Sequence, residues 1–227
     1  NYGRLFDSIF INNTAGNDGG ALLWEGVNGT INNISVVNNK ATNNGGGIYS
    51  KFNIAYDNVT FINNTADKGG ALYWAYNADQ IIEELVFINN SANQGGAIFL
   101  PHLGKSPTVR NNNFTGNDAV YGGAIYVEAR YNSIKNSQFT NNKAKDEGGA
   151  VYINARYTKI DLSAFTGNSA KKGYDIYCDS SYSNRLIFFP YRIQSSCRVC
   201  CITATCAVGC TCCRRACRPT EEVVSAS

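Results

Sequence analysis

The sequence contains no methionine, a single histidine (His102) and four prolines, and it has no cysteine before Cys178. No His/Cys set with zinc-ligand spacing is present outside the C-terminal end, and no Ser-His-Asp constellation or phosphate-cradling glycine loop occurs. His102, between Pro101 and Leu103, reads as an incidental loop residue. No apolar run approaches the about 20 residues that a membrane-spanning helix needs, and no signal peptide is legible. With its start at Asn1, the chain reads as a mature protein or a fragment whose targeting signal lies elsewhere. Excess charge is also missing. Residues 1–178 hold 14 basic and 14 acidic side chains, which excludes the basic stripe of a nucleic-acid binder.

What is abundant is asparagine, and it is arranged with a period. Phe10, Val36, Phe61, Phe87, Phe114, Phe139 and Phe165 open seven copies of one pattern. An Asn follows each opener at the third position (Asn13 to Asn168) and an Ala at the fifth (Ala15 to Ala170). A glycine pair and an aliphatic residue come next. The openers recur about 26 residues apart, and so steady a period marks a solenoid.

Stacking the copies gives three apolar columns. One is the openers. The second follows the glycines: Leu22, Ile48, Leu72, Ile98, Ile125, Val151 and Ile176. The third lies five positions before each opener: Leu5, Ile31, Tyr56, Ile82, Val109, Ile134 and Ile160. Three inward columns predict three short parallel strands per coil, a right-handed triangular tube. A helix is excluded because no window has the i, i+3, i+4, i+7 spacing and glycine pairs interrupt every copy but the seventh, which has Gly173-Tyr174-Asp175. The glycine pairs predict corners of positive φ. The Asn column predicts a buried amide ladder.

The pairing of F-x-x-N with G-G-A-[I/L/V], over about residues 5–178, resembles the repeat of the chlamydial polymorphic outer membrane proteins. The departures are Val36 for Phe, Gly47 for Ala, and a Cys-rich end with no counterpart. The resemblance implies a right-handed parallel β-helix of the pectin-lyase-like class, a non-enzymatic adhesive role, and a place outside the cell or on its surface, the outer membrane if the source is bacterial.

Candidate sites follow from the columns. The outward neighbours of the second column are Leu23, Tyr49, Tyr73, Phe99, Tyr126, Tyr152 and Tyr177. Strand alternation turns them away from the core, and contiguous exposed aromatics mark contact surfaces. Two readings stand side by side: a stacking ladder that stabilises the sheet, and a stripe at Tyr49, Tyr73, Phe99, Tyr126, Tyr152 and Tyr177 for glycans, proteins or a second copy. Asp57 and Glu83 stand on successive coils about 4.8 Å apart, near a retaining glycosidase's spacing. Because their column continues Arg110, Lys135, Asp161, an outward charge ladder is the favoured reading, with Glu83 against Arg110 and Lys135 against Asp161. Sequons begin at Asn12, Asn28, Asn33, Asn58, Asn63, Asn89 and Asn113. They are glycosylation acceptors in a secreting eukaryote, and plain ladder asparagines otherwise.

The chain divides into a β-helix (1–178), a C-terminal cap (179–196, with an apolar run at Leu186–Tyr191) and a Cys-rich tail (197–227). The tail's eight cysteines suit a disulfide knot better than a metal cluster, and non-authentic coding sequence is a third reading. Disorder is expected there, and Cys178 is placed to bridge Cys197. No catalytic, cofactor-binding or metal-ligating residue is assigned. The expected partners are a glycan or protein at a cell surface. Further repeats or a second copy are expected on an uncovered N-terminal end, where self-association would build a filament.

Overall fold

Each coil turns where the backbone enters the left-handed region, and three columns of such residues shape the tube. One lies three positions before the openers: Asp7, Asn33, Asn58, Glu84, Asn111, Asn136 and Leu162, with φ between 45° and 59°. A second lies two positions after them: Asn12, Asn38, Asn63, Asn89, Gly116, Asn141 and Gly167. The third is the first glycine of each pair, Gly19 to Gly148, and the single Gly173 of the seventh copy. The sequence reading assigned positive φ to the glycines alone. Asparagine supplies most of the other corners, because its short polar side chain tolerates this conformation.

The computed structural model describes residues 3–75, 81–102 and 107–179, and the backbone of the strands Arg185–Ile187, Val199–Cys201 and Thr205–Cys206. The architecture is an all-β parallel solenoid, and no helix occurs among the described residues. Ladder partners on adjacent coils show a repeat of about 26 residues, within the usual solenoid range. The first sheet holds seven strands, hence about six turns: Arg4–Ile11, Gly29–Val37, Ile54–Ile62, Val86–Ile88, Asn113–Thr115, Gln138–Thr140 and Ala164–Thr166. Its register aligns every opener with the next. The second sheet runs from Leu22–Trp24 to Ile176–Cys178 and on to Val199–Cys201. The third runs from Ile81–Glu83 through Thr108–Arg110, Ser133–Lys135 and Lys159–Asp161 to Arg185–Ile187 and Thr205–Cys206. In the first three coils it has no separate strand, because the long strands of the first sheet run through the corner. Short extra ladders form at the Ala column, as in Ser91–Gln94, Asp118–Tyr121 and Lys143–Glu147.

The core is the three columns. Phe61, Phe87, Phe114 and Phe139 are fully buried. Rings from Phe61 to Phe165 stack with centroids 4.8 to 5.0 Å apart. Phe10 and Phe165, at the two ends, are only partly buried. Coils approach closely beside the glycine pairs: a Cβ on Gly96 would collide with the carbonyl of Gly123.

The amide ladder runs without a break from Asn13 to Asn168. Asn168 then donates to Asp175 Oδ1 at 2.8 Å. Six of its asparagines are buried. Asn13, expected buried with the rest, is exposed because it belongs to the first coil. Cys197 and residues 188–191 of the expected cap lie outside the described residues. The backbone of Leu186 pairs with Ile160 in the parallel stack.

Candidate functional site

The aromatic column forms, but it is not the open stripe that alternation predicts. From Tyr49 to Tyr177 the rings stack face to face, with centroids 4.7 to 5.4 Å apart. Tyr49 and Tyr73 are half-buried, whereas Phe99, Tyr126, Tyr152 and Tyr177 are 1%, 5%, 5% and 7% exposed and make a second apolar cluster. In-register stacking hides both faces of each inner ring. Lys68 lies over Phe99 at 5.1 Å, Lys172 over Tyr177 at 5.9 Å, and Tyr121 packs beside them. Burial pushes the Tyr73 and Tyr126 hydroxyls up to about 12. It also raises Tyr152, whose hydroxyl donates to Asp179 at 2.8 Å. A phenol held protonated and covered is a structural column, with its accessible end at Tyr49 and Tyr73.

The carboxylates are tied into local pairs. Arg110 Nε donates to Glu83 at 2.6 Å, as expected. Asp57 accepts a hydrogen bond from Asn32 Nδ2 on the coil before it. Lys135 and Asp161 are register neighbours, but the ion pair of Asp161 is with Lys159 on its own strand, at 3.0 Å. That corrects the expected Lys135–Asp161 pair. Among the described residues no group of three His, Cys, Asp or Glu side chains could hold a metal ion.

The seven sequon asparagines are all exposed. Asn12, Asn28, Asn33, Asn58, Asn63 and Asn89 sit at left-handed corners, and Asn113 begins a strand. None is a member of the buried ladder, but Asn58 donates to Asn33 Oδ1 at 3.0 Å and Asn33 to Asp7 Oδ1 at 2.6 Å in a short exposed one. The corner needs one asparagine and the ladder the next, which puts N-N in the sequence.

The richest exposed chemistry lies at a corner that column-reading missed. Glu128-Ala129-Arg130-Tyr131-Asn132 and Asn154-Ala155-Arg156-Tyr157-Thr158 occupy the same turn on adjacent coils. Ala129 and Ala155 are buried, which keeps the turn tight and throws the next residue outward. Asn132 Nδ2 closes the turn on Ala129 O at 2.6 Å and reaches Thr158 Oγ1 at 3.0 Å. The Tyr131 N–H donates to Arg156 O at 3.1 Å. Asn154 shares a hydrogen bond with the Tyr126 hydroxyl.

Both arginines are exposed, and the Tyr131 and Tyr157 rings stack at 4.7 Å and 8° while remaining 58% and 49% exposed. Each tyrosine has positive φ, 57° and 61°. That conformation costs an L-residue about 1–2 kcal/mol. Asn28 holds the equivalent corner in the second coil. A cleft of about 300 Å³ opens beside them, lined by His102, Glu128, Arg130, Asn154, Ala155 and Arg156. His102, which the sequence reading set aside as incidental, forms part of its wall. The signal was present all along: the tripeptide A-R-Y, begun by Ala129, recurs one coil later from Ala155.

The model of the Chlamydia polymorphic membrane protein repeat matches residues 7–23, 33–51, 58–73, 84–101 and 136–154. No curated protein and no solved structure matches the chain. No helix among the described residues is long and apolar enough to cross a membrane. The matched segments each carry an opener, its ladder asparagine and the glycine corner that follows, the elements from which the coils are built. The described chain is therefore a parallel β-solenoid that carries Chlamydia polymorphic membrane protein repeats in those five segments.

Proposed function

We propose that this solenoid is a non-enzymatic adhesive protein of a cell surface or the extracellular space, binding glycans or proteins through its exposed corners. The observation that carries the reading is the stacked Tyr131–Tyr157 pair, half exposed beside Arg130 and Arg156. Exposed aromatics with adjacent charges mark contact sites. The sheet faces offer less, because the rings from Phe99 to Tyr177 are buried in their stack and Glu83 and Asp161 are ion-paired. The engagement of Glu83 by Arg110 argues against a glycosidase dyad. The test is saturable binding of the labelled full chain to cells or to a glycan array. Absence of binding to every surface sinks the adhesive reading, and turnover of a polymer such as polygalacturonate overturns the non-enzymatic one.

A second reading is self-association into a filament. Phe6, Ile9, Ile11, Leu23 and Val27 are exposed on the first described coils, beside the edge strand Arg4–Ile11. An uncovered edge is a template for another strand. Further repeats of a longer chain would satisfy it equally. Filaments in negative stain would favour self-association, and a strictly monomeric chain would refute it.

A further inference from the structure

We propose that Tyr131 and Tyr157 form a cross-linking site, at which a peroxide-driven one-electron oxidant joins the two rings as dityrosine and staples adjacent coils. The proposal goes beyond the adhesive reading and does not depend on it.

The scarcity of other targets comes first. Methionine is absent, and cysteine begins only at Cys178, which is disulfide-bonded. Trp74 is 1% exposed and Trp24 packs half-buried against the core. Tyrosine is therefore the most readily oxidised accessible side chain of the described solenoid. Three tyrosines count as exposed among the described residues, Tyr131, Tyr157 and Tyr174. Of these, Tyr131 and Tyr157 stack on one another.

Geometry then selects the pair. Coupling needs two rings in contact before their radicals are lost, and here the centroids are 4.7 Å apart with planes 8° from parallel. Holding the partners together turns a bimolecular step into an intramolecular one. The backbone keeps them there. Both residues sit at equivalent left-handed corners, φ 57° and 61°, so their side chains leave in the same direction. The Tyr131 N–H donates to Arg156 O at 3.1 Å, and Asn132 Nδ2 reaches Thr158 Oγ1 at 3.0 Å. The inner column has pairs as close, but they are pinned. Tyr126 and Tyr152 also stand 4.7 Å apart, yet each is 5% exposed and packs against a further ring, Phe99 or Tyr177. Tyr73 is likewise held between Tyr49 and Phe99. Bond formation between ring carbons tilts the rings toward each other, which a close-packed column resists and a half-exposed corner permits.

The chemistry balances. Each phenol gives one electron to the oxidant and one proton to water. The two phenoxyl radicals join through the carbons ortho to oxygen. The hydrogens on those carbons move to the oxygens and restore both phenols. Hydrogen peroxide takes up the two electrons and two protons and leaves as two waters, so the protein loses two hydrogens.

The experiment treats the full chain, at high dilution, with a peroxidase and hydrogen peroxide. Intact mass, peptide mapping and dityrosine fluorescence read the product. A monomer lighter by two hydrogens should form, with the Tyr131 and Tyr157 peptides linked. Tyr131→Phe and Tyr157→Phe keep the ring but lack the phenol, so each should lower this product at least about tenfold, with circular dichroism confirming the fold. The link closes a loop of about 26 residues in the unfolded chain, so the linked protein should melt about 5–10 °C higher. Dityrosine only between chains, at Tyr174 or within the Tyr126–Tyr152 pair would overturn the proposal. So would no dityrosine, an undiminished product in both variants, or an unchanged Tm.

Discussion

Val36 Cγ1 occupies the space a methyl group on Gly47 would need, standing 2.9 Å from the ideal Cβ position. These are the two places where the second coil departs from the repeat, and they touch. A β-branched opener carries bulk sideways where Phe carries it forward, so the neighbouring Ala gives way to Gly. The Ala71 carbonyl, 2.7 Å from the same point, closes the other side.

Gly47→Ala alone should therefore destabilise by about 1–3 kcal/mol, the usual cost of overpacking. Val36→Phe with Gly47→Ala should recover most of that, with the new ring joining Phe61 in the stack. A double-mutant cycle by denaturant unfolding reads the coupling. Additive effects would mean the two departures are unrelated.

The Asn90 amide is fully engaged. It donates to Phe61 O at 3.1 Å and Asn117 Oδ1 at 3.0 Å, and accepts from the Asn64 backbone and side-chain nitrogens at 2.9 and 3.0 Å. Asn90→Leu strands buried partners on both neighbouring coils and should cost about 1–3 kcal/mol per orphaned group. Thermal unfolding that matches wild type would show these amides contribute nothing.

Alkaline solution should loosen the aromatic column. The Tyr73 and Tyr126 hydroxyls titrate near 12 in the folded chain against an ordinary value near 10. Between those values the unfolded chain has lost protons that the folded chain retains, so stability is full below pH 10 and falls as pH rises toward 12. Each hydroxyl removes up to about 1.4 kcal/mol per pH unit in that window. Tyr126→Phe should flatten the slope of the unfolding free energy over that range. An unchanged slope would place the phenol in water.

Hydrogen exchange should be uneven along the stack. The first coil lacks a described neighbour on one side and exposes Ile9 and Ile11. The coil of Phe87 is paired on both sides. Amides of Arg4–Ile11 should exchange faster than those of Val86–Ile88 by at least about tenfold, since protection tracks local opening. Equal protection would mean that the first edge is covered in solution.

Much of this molecule was legible in columns. Phe61 to Phe139, Asn39 to Asn168 and Ile48 to Ile176 take the same position in every coil, so one placement implies the rest. The aromatic column left a stacking ladder and an open stripe both possible, because alternation gives a direction and not what stacks above and beside a ring; the rings stack from Tyr49 to Tyr177. Asn12, Asn63 and Asn89 stand one position before a ladder asparagine, and only the backbone torsion tells the exposed corner from the ladder amide beside it.

The sequence by itself determined the period, the inward columns and the parallel register, since a side chain repeated once in every coil has one energetically consistent way to stack. Tertiary structure decided which corners are left-handed, that Asp161 turns to Lys159, and that Arg130, Tyr131, Arg156 and Tyr157 share a corner whose cleft is walled by His102. Those outcomes depend on torsion angles and on the approach of neighbouring coils. Columns record which residue recurs, and only the folded backbone sets where its side chain ends.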